Sequence, residues 1–231
     1  STAPVDGATN VNYVGANIAV TFTKSMDTAT LTANTTTACT GSIQVSSNGF
    51  VDCVPMTSAT PVFFSGNALA IVTPAFQLAG NTFYKVRVLA SARDTFNYPM
   101  AGNYTSTTGF RTAVDTVPPT FVGITPANNS SGIAPTEVIT MTFSEPMDIA
   151  AISAGGITVL DGAVPVAGNF SSFGNVVTFA PNVQWVGGKT ITVNINSGAT
   201  DTSGNAVVNP SIHSFTTAFS RYAFAVHPGN I

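Results

Sequence analysis

Few residues in this chain have the types and spacing for catalysis. It holds two histidines, His213 and His227, two cysteines, Cys39 and Cys53, and two glutamates, Glu137 and Glu145. Nucleophilic hydrolysis needs a Ser or Cys beside a His that a carboxylate orients, and neither histidine falls in a recognisable nucleophile motif. A carboxylate pair for glycoside hydrolysis could be assembled from Asp27, Asp94, Asp148 and Asp201. Each of these sits at a turn or cap, where the ordinary role of Asp is to bond backbone N–H groups. Calcium would find oxygen ligands at the same turns, yet no dense Asp-rich loop is present. "GNVVTFAP" and "WVGGKT" supply glycine without a phosphate-cradling pattern. Trp185 offers a face for stacking on a sugar, but it aligns with Leu78 in an internal repeat and is expected in the core. No catalytic residue, cofactor or metal ligand is therefore expected.

Cys39 and Cys53 close a short loop, and an even pair in a chain of exported character predicts a disulfide, two buried free thiols being the alternative. The lack of a CxxC pair or a nearby His argues against a metal there. Sequons at Asn34, Asn103, Asn128, Asn129 and Asn169 are candidate glycan acceptors, though some must arise by chance in so Asn-, Ser- and Thr-rich a chain.

Composition points outside the cell. Only 7% of the 231 residues are charged, so solubility rests on hydroxyls, amides and candidate glycans. A net charge of -3 and scattered Lys and Arg give no basic field for nucleic acid or an anionic membrane. No apolar run approaches a membrane span, and the start "STAP" fits a mature end left after leader cleavage. An extracellular or cell-surface location is expected.

Period-two runs such as "NIAVTFTKSM", "TFYKVRVLAS", "EVITMTFSEP" and "KTITVNINSG", punctuated by Gly, Asn, Pro and Asp, predict an all-β fold of sandwiched sheets. "TATLTAN" and "IAAISAGG" could each form one helical turn, capped by Asp27 and Asp148. An internal repeat runs through the chain: Pro4, Phe22, Met26 and Asp27 fall on Pro126, Phe143, Met147 and Asp148. Later "NALAIVTPAFQ" matches "NVVTFAPNVQ", "SARDTFNYPM" matches "ATDTSGNAV", and "FRT" matches "FTT". The predicted organisation is a first domain over 1–113, a proline-stiffened linker over 114–120, a second domain over 121–218 and an extension over 219–231.

The opening "DTVPPTFVGITPANNSSGI", the "TFSEPMD" strand with its copy "TFTKSMD", the "ATDTSGNAV" hairpin and the closing "FTT" and "FRT" resemble the bacterial Ig-like domain of SbsA-type surface-layer proteins. The resemblance covers both repeats and is more specific in the second. In the first, Lys24 and Ser25 stand for Glu145 and Pro146, and the cysteine loop is added. It implies tandem Ig-like sandwiches serving as structural or spacer modules on cell surfaces, with no catalytic residue to carry over and no ligand identified.

The extension poses a separate question. The second domain is preceded by "TFVGITPAN", whereas only "STA" precedes Pro4, so the first domain is expected to lack its opening strand. "YAFAVHPGN" near the C-terminus has the missing form. Setting Pro228 on Pro126 places Phe224 on Val122 and Val226 on Ile124. Two sandwiches joined end to end should hold the termini far apart. Tyr222, Phe224 and Val226 are therefore expected to enter a groove at Ile18, Val20, Phe22 and Phe110 of a neighbouring copy, giving a head-to-tail homopolymer. The alternatives are a spacer piece of a longer surface protein, the extension then being the start of a third repeat, and an adhesin binding ligands through its loops.

Overall fold

The computed structural model describes residues 1–219. It divides into two compact units, 1–117 with 202–205, and 118–201 with 206–219. The first half of the expected linker thus falls in unit 1 and the second half in unit 2. Beyond one three-residue 3-10 turn (Thr28–Thr30) and a short helical stretch (Ile149–Ala151, continued by Ile152–Gly156), regular structure among the described residues is all strand.

In the first domain the strands are β1 (Thr2–Ala3), β2 (Ile18–Thr21), β3 (Ile43–Ser46), β4 (Val62–Phe64), β5 (Leu69–Val72), β6 (Phe83–Val88), β7 (Tyr104–Thr105) and β8 (Phe110–Arg111). One sheet has the order β1-β2-β5-β4 and the other β3-β6-β7, with β8 also pairing β6. Alternation sends Ile18, Val20, Ala70, Val72, Tyr84, Val86 and Val88 between the sheets, where they meet Leu31, Met56 and Phe110. Asp27 caps the 3-10 turn by accepting from the Ala29 amide.

The second domain repeats this plan with β9 (Phe121–Thr125), β10 (Ser130–Ile133), β11 (Ile139–Phe143), β12 (Ile157–Asp161), β13 (Val164–Pro165), β14 (Gly168–Phe173), β15 (Val176–Pro181), β16 (Thr190–Ile195) and β17 (Ser211–Thr217). Its sheets run β14-β15-β11-β9 and β10-β17-β16-β12-β13. Ile139, Met141, Phe143, Val193 and Phe215 form the core with Trp185.

Backbone bonds confirm the repeat residue by residue. Met26 bridges Asp94 as Met147 bridges Asp201, and the Met100 amide bonds Ala92 as the Val207 amide bonds Ala199. Ala3–Pro4 and Thr125–Pro126 are both cis. The expected loss of the opening strand in the first domain is corrected here. Thr2 and Ala3 pair antiparallel with Val20 and Ala19, as Ile124 and Thr125 pair with Met141 and Thr140. The strand is shortened, not absent, because two residues ahead of the cis proline suffice to make those pairs.

Candidate functional site

The site is a difference between the two copies. In the second domain β9 runs on past Ile124, through a bulge, to pair Phe121 with Phe143. Phe121 packs its ring edge-on to Phe143 at 5.8 Å and lies 4.6 Å from the His213 ring. Just upstream, the Ser144 amide donates to Thr120 O at 2.9 Å, the Thr120 amide donates to Ser144 Oγ at 2.9 Å, and the Val208 amide donates to Pro119 O at 2.9 Å. Phe143 is wholly buried under this cover, and Val207 nearly so.

In the first domain Ser1, just ahead of β1, accepts from the Thr21 amide at its carbonyl and donates from its amine to Thr21 O. The place that Pro119, Thr120 and Phe121 fill in the second domain is a cleft of about 470 Å³, lined by Phe22, Thr23, Lys24, Met100 and Ala101, the counterparts of Phe143, Ser144, Glu145, Val207 and Val208. Phe22 and Met100 are accordingly only half-buried. Val88 lies in the floor, and Tyr98 and Tyr104 stand along the cleft, both exposed.

The four expected groove residues divide. Phe22 and Val20 line the cleft, but Val20 is already paired by Thr2. Ile18 is fully buried, pairs with Val72 on β5 and is not in the lining. Phe110 belongs to the other sheet, where it pairs with Tyr84 and stacks on its ring at 5.7 Å. The cleft lining at Phe22, Thr23 and Lys24 therefore lies beyond the β1–β2 pairs. Tyr222, Phe224 and Val226 lie outside the described residues.

Electrostatics differ at the cleft. Lys24 Nζ donates to Asp94 Oδ2 at 3.2 Å, whereas the matching residues Glu145 and Asp201 are both acidic and both buried. Burial pushes the Asp94 carboxyl up, but the amides of Tyr98 and Phe96 and the Lys24 ammonium outweigh it and hold it below the usual carboxylate value. Asp6, which accepts from the amides of Gly109, Thr108 and Thr107, is also held low, chiefly by the Gly109 bond at 2.6 Å.

Several other chemistry-bearing residues serve structure. Cys39 and Cys53 are bridged. Asp148 accepts from the Ala150 amide as a cap. Trp185 is buried, donates from Nε1 to Glu137 O at 2.7 Å and packs edge-on to Phe215, which removes it as a sugar platform. Asn34 is buried, its Nδ2 donating to Thr36 O and Val54 O, so it cannot present a glycan in the folded domain. Asn103, Asn128, Asn129 and Asn169 are exposed.

One pairing was not visible in the sequence reading. Ser211 Oγ lies 3.0 Å from His213 Nε2. The other ring nitrogen, Nδ1, is buried without a hydrogen-bond partner, so the carboxylate that a hydrolytic triad requires is missing from this pair. Burial also pushes the His213 pKa down.

Both halves of the chain match one family model, described as a bacterial Ig-like domain, over residues 1–112 and 115–217. The chain belongs to the bacterial Ig-like domain family. Among solved structures it is similar to the S-layer protein rSbsC(31-844), with 16% identity, a TM-score of 0.33, and 90% of this chain and 25% of that one covered. It is similar to the N-terminal part of S-layer protein SbsC at 23% identity and TM-score 0.34, over 44% of this chain and 24% of that one. L,D-transpeptidase 1 of Mycobacterium tuberculosis aligns at 19% identity and TM-score 0.30, over 43% of this chain and 39% of that one. This chain thus spans well under half the length of each of these proteins. No curated protein matches it in sequence. No helix among the described residues is long and apolar enough to cross a membrane.

Proposed function

We infer that this protein is a non-catalytic structural module of the bacterial exterior, and that it assembles head-to-tail into a surface filament by strand donation. Residues 222–226 of one copy enter the cleft of the first domain in the next, extending the line of β1 beside β2. The observation that carries this reading is the contrast at one place in a duplicated fold. The second domain covers Phe143 and Val207 with its own Phe121 and Thr120, and the first domain leaves Phe22 and Met100 under an open cleft. The sequence "YAFAV" alternates bulky and small residues, the pattern a donated strand needs. Extracellular placement is supported by membership of the Ig-like family, by the disulfide and by the 7% charged composition.

Electron microscopy of the purified protein beside a variant lacking residues 220–231 tests the assembly. Uniform fibres from the first and none from the second are expected. Fibres from both, or a cleft filled by a segment ahead of Ser1, would overturn strand donation and leave the spacer role. Specific ligand binding by monomers that form no fibres would favour the adhesin role.

A further inference from the structure

Independently of strand donation, the two copies differ on one outer sheet face. The seven Lys and Arg are spread thinly along the sequence, but the fold brings three of them together. Along β6, Tyr84, Val86 and Val88 turn into the core, so Phe83, Lys85 and Arg87 line up on the outside. On β8, Phe110 fills the core and Arg111 pairs with Phe83, which puts Arg111 on the same face. We propose that this face binds an acidic polysaccharide, with Arg87, Lys85 and Arg111 holding its carboxylates and Phe83 stacking on its sugar rings.

The second domain shows that the fold does not require these residues. β12 pairs with β16 as β3 pairs with β6, which sets Lys85 and Arg87 on Thr192 and Asn194. The pair Phe83 and Arg111 recurs as Thr190 and Thr216. Neutral side chains thus suffice to solvate this face in one copy, while the other carries three cations and an aromatic ring at the same four places. Like charges set side by side repel, so folding alone does not favour them.

Arg87 is built into a platform. Its guanidinium lies 3.9 Å from the centre of the Phe50 ring, and Nε donates to Gln44 Oε1 at 2.7 Å. Gln44 is itself buried and donates from Nε2 to the carbonyls of Cys39 and Gly41. Phe50 stands on the loop that the Cys39–Cys53 bridge closes, in a left-handed backbone at φ 66°, with its amide donating to Ser46 Oγ. That loop is what the first domain adds to the repeat, so the addition and the cations form one device. With Nε and one face of the guanidinium engaged, the Nη donors are left for a two-pronged bond to a carboxylate.

Charge complementarity selects an anion. None of the three cations forms an ion pair among the described residues. The carboxylates on the surrounding loops are engaged: Asp6 accepts from the amides of Thr107, Thr108 and Gly109, and Asp52 accepts from Asn48 Nδ2. Lys85 reaches Asp6 only through space. Alternate residues of a strand lie about 7 Å apart, so the row along β6 suits an extended chain with repeated anions better than one small ion. Phe83, beneath the Arg111 guanidinium at 5.3 Å, stays 52% exposed. Its apolar ring matches the C–H face of a sugar, which an acidic peptide does not offer.

Biolayer interferometry of the full chain on immobilised polygalacturonate tests the site, with methyl-esterified polygalacturonate, polyglutamate and single-stranded DNA as comparisons. Binding to polygalacturonate is expected to fall with added salt and to vanish on the ester. Lys85→Thr, Arg87→Asn and Arg111→Thr together give the first domain the residues that the second carries. This variant should stay folded by circular dichroism and bind about tenfold more weakly or worse. Phe50→Gly suits the left-handed backbone and keeps the net charge but removes the platform, and should also weaken binding. No binding to polygalacturonate, unchanged binding by either variant, or tighter binding to polyglutamate or DNA overturns the proposal.

Discussion

Asn34 marks the distance between a motif and its environment. Its sequon is visible in the sequence, but its burial depends on the loop around Val54, which folds over it. Asn34→Ala should leave the Thr36 and Val54 carbonyls without their donor and cost about 1–3 kcal/mol, read as a lower denaturant midpoint of the first domain. In a glycosylating host, glycopeptide mapping should find Asn34 unmodified. The cysteine pair and the Asp27 and Asp148 caps were legible because each depends on residues close in sequence. Removing the bridge with Cys39→Ser and Cys53→Ser releases a loop with a sequence separation of 14. That should cost the first domain about 3 kcal/mol, with the second unchanged by calorimetry.

At the scale of elements, period-two alternation located β2, β6, β11, β15 and β16, since a strand between two sheets must show it. Two features were beyond its reach. A two-residue strand such as β1 has no period to detect, and the bulge that turns Val122 outward arises from pairing with β11. The role of β9 can be tested where it is already filled. Phe121→Ala should open the same cleft in the second domain and cost about 2 kcal/mol, less than a fully buried Phe because Phe121 is only half-buried. The low carboxyls of Asp6 and Asp94 add a pH signature to the first domain. A depressed folded-state pKa stabilises above the unfolded value of about 3.9, and that stabilisation is lost as pH falls through the folded value. Melting of the first domain should therefore fall below about pH 4. Asp6→Asn and Asp94→Asn should each lower the melting temperature at neutral pH and flatten this dependence.

For the whole molecule, duplication made the fold legible, because two copies of one pattern expose each other's departures. The same comparison that located the repeat located the cleft: β1 pairs with β2 at two positions, whereas β9 pairs with β11 at four. Strand donation is tested most directly by differential scanning calorimetry of the protein lacking residues 220–231, with and without added synthetic "YAFAVHPGN" peptide. The account predicts that the peptide raises the melting temperature of the first domain alone, identified by its sensitivity to loss of the Cys39–Cys53 bridge, and that a peptide carrying Phe224→Asp does not. No shift, or an equal shift of both domains, would contradict it.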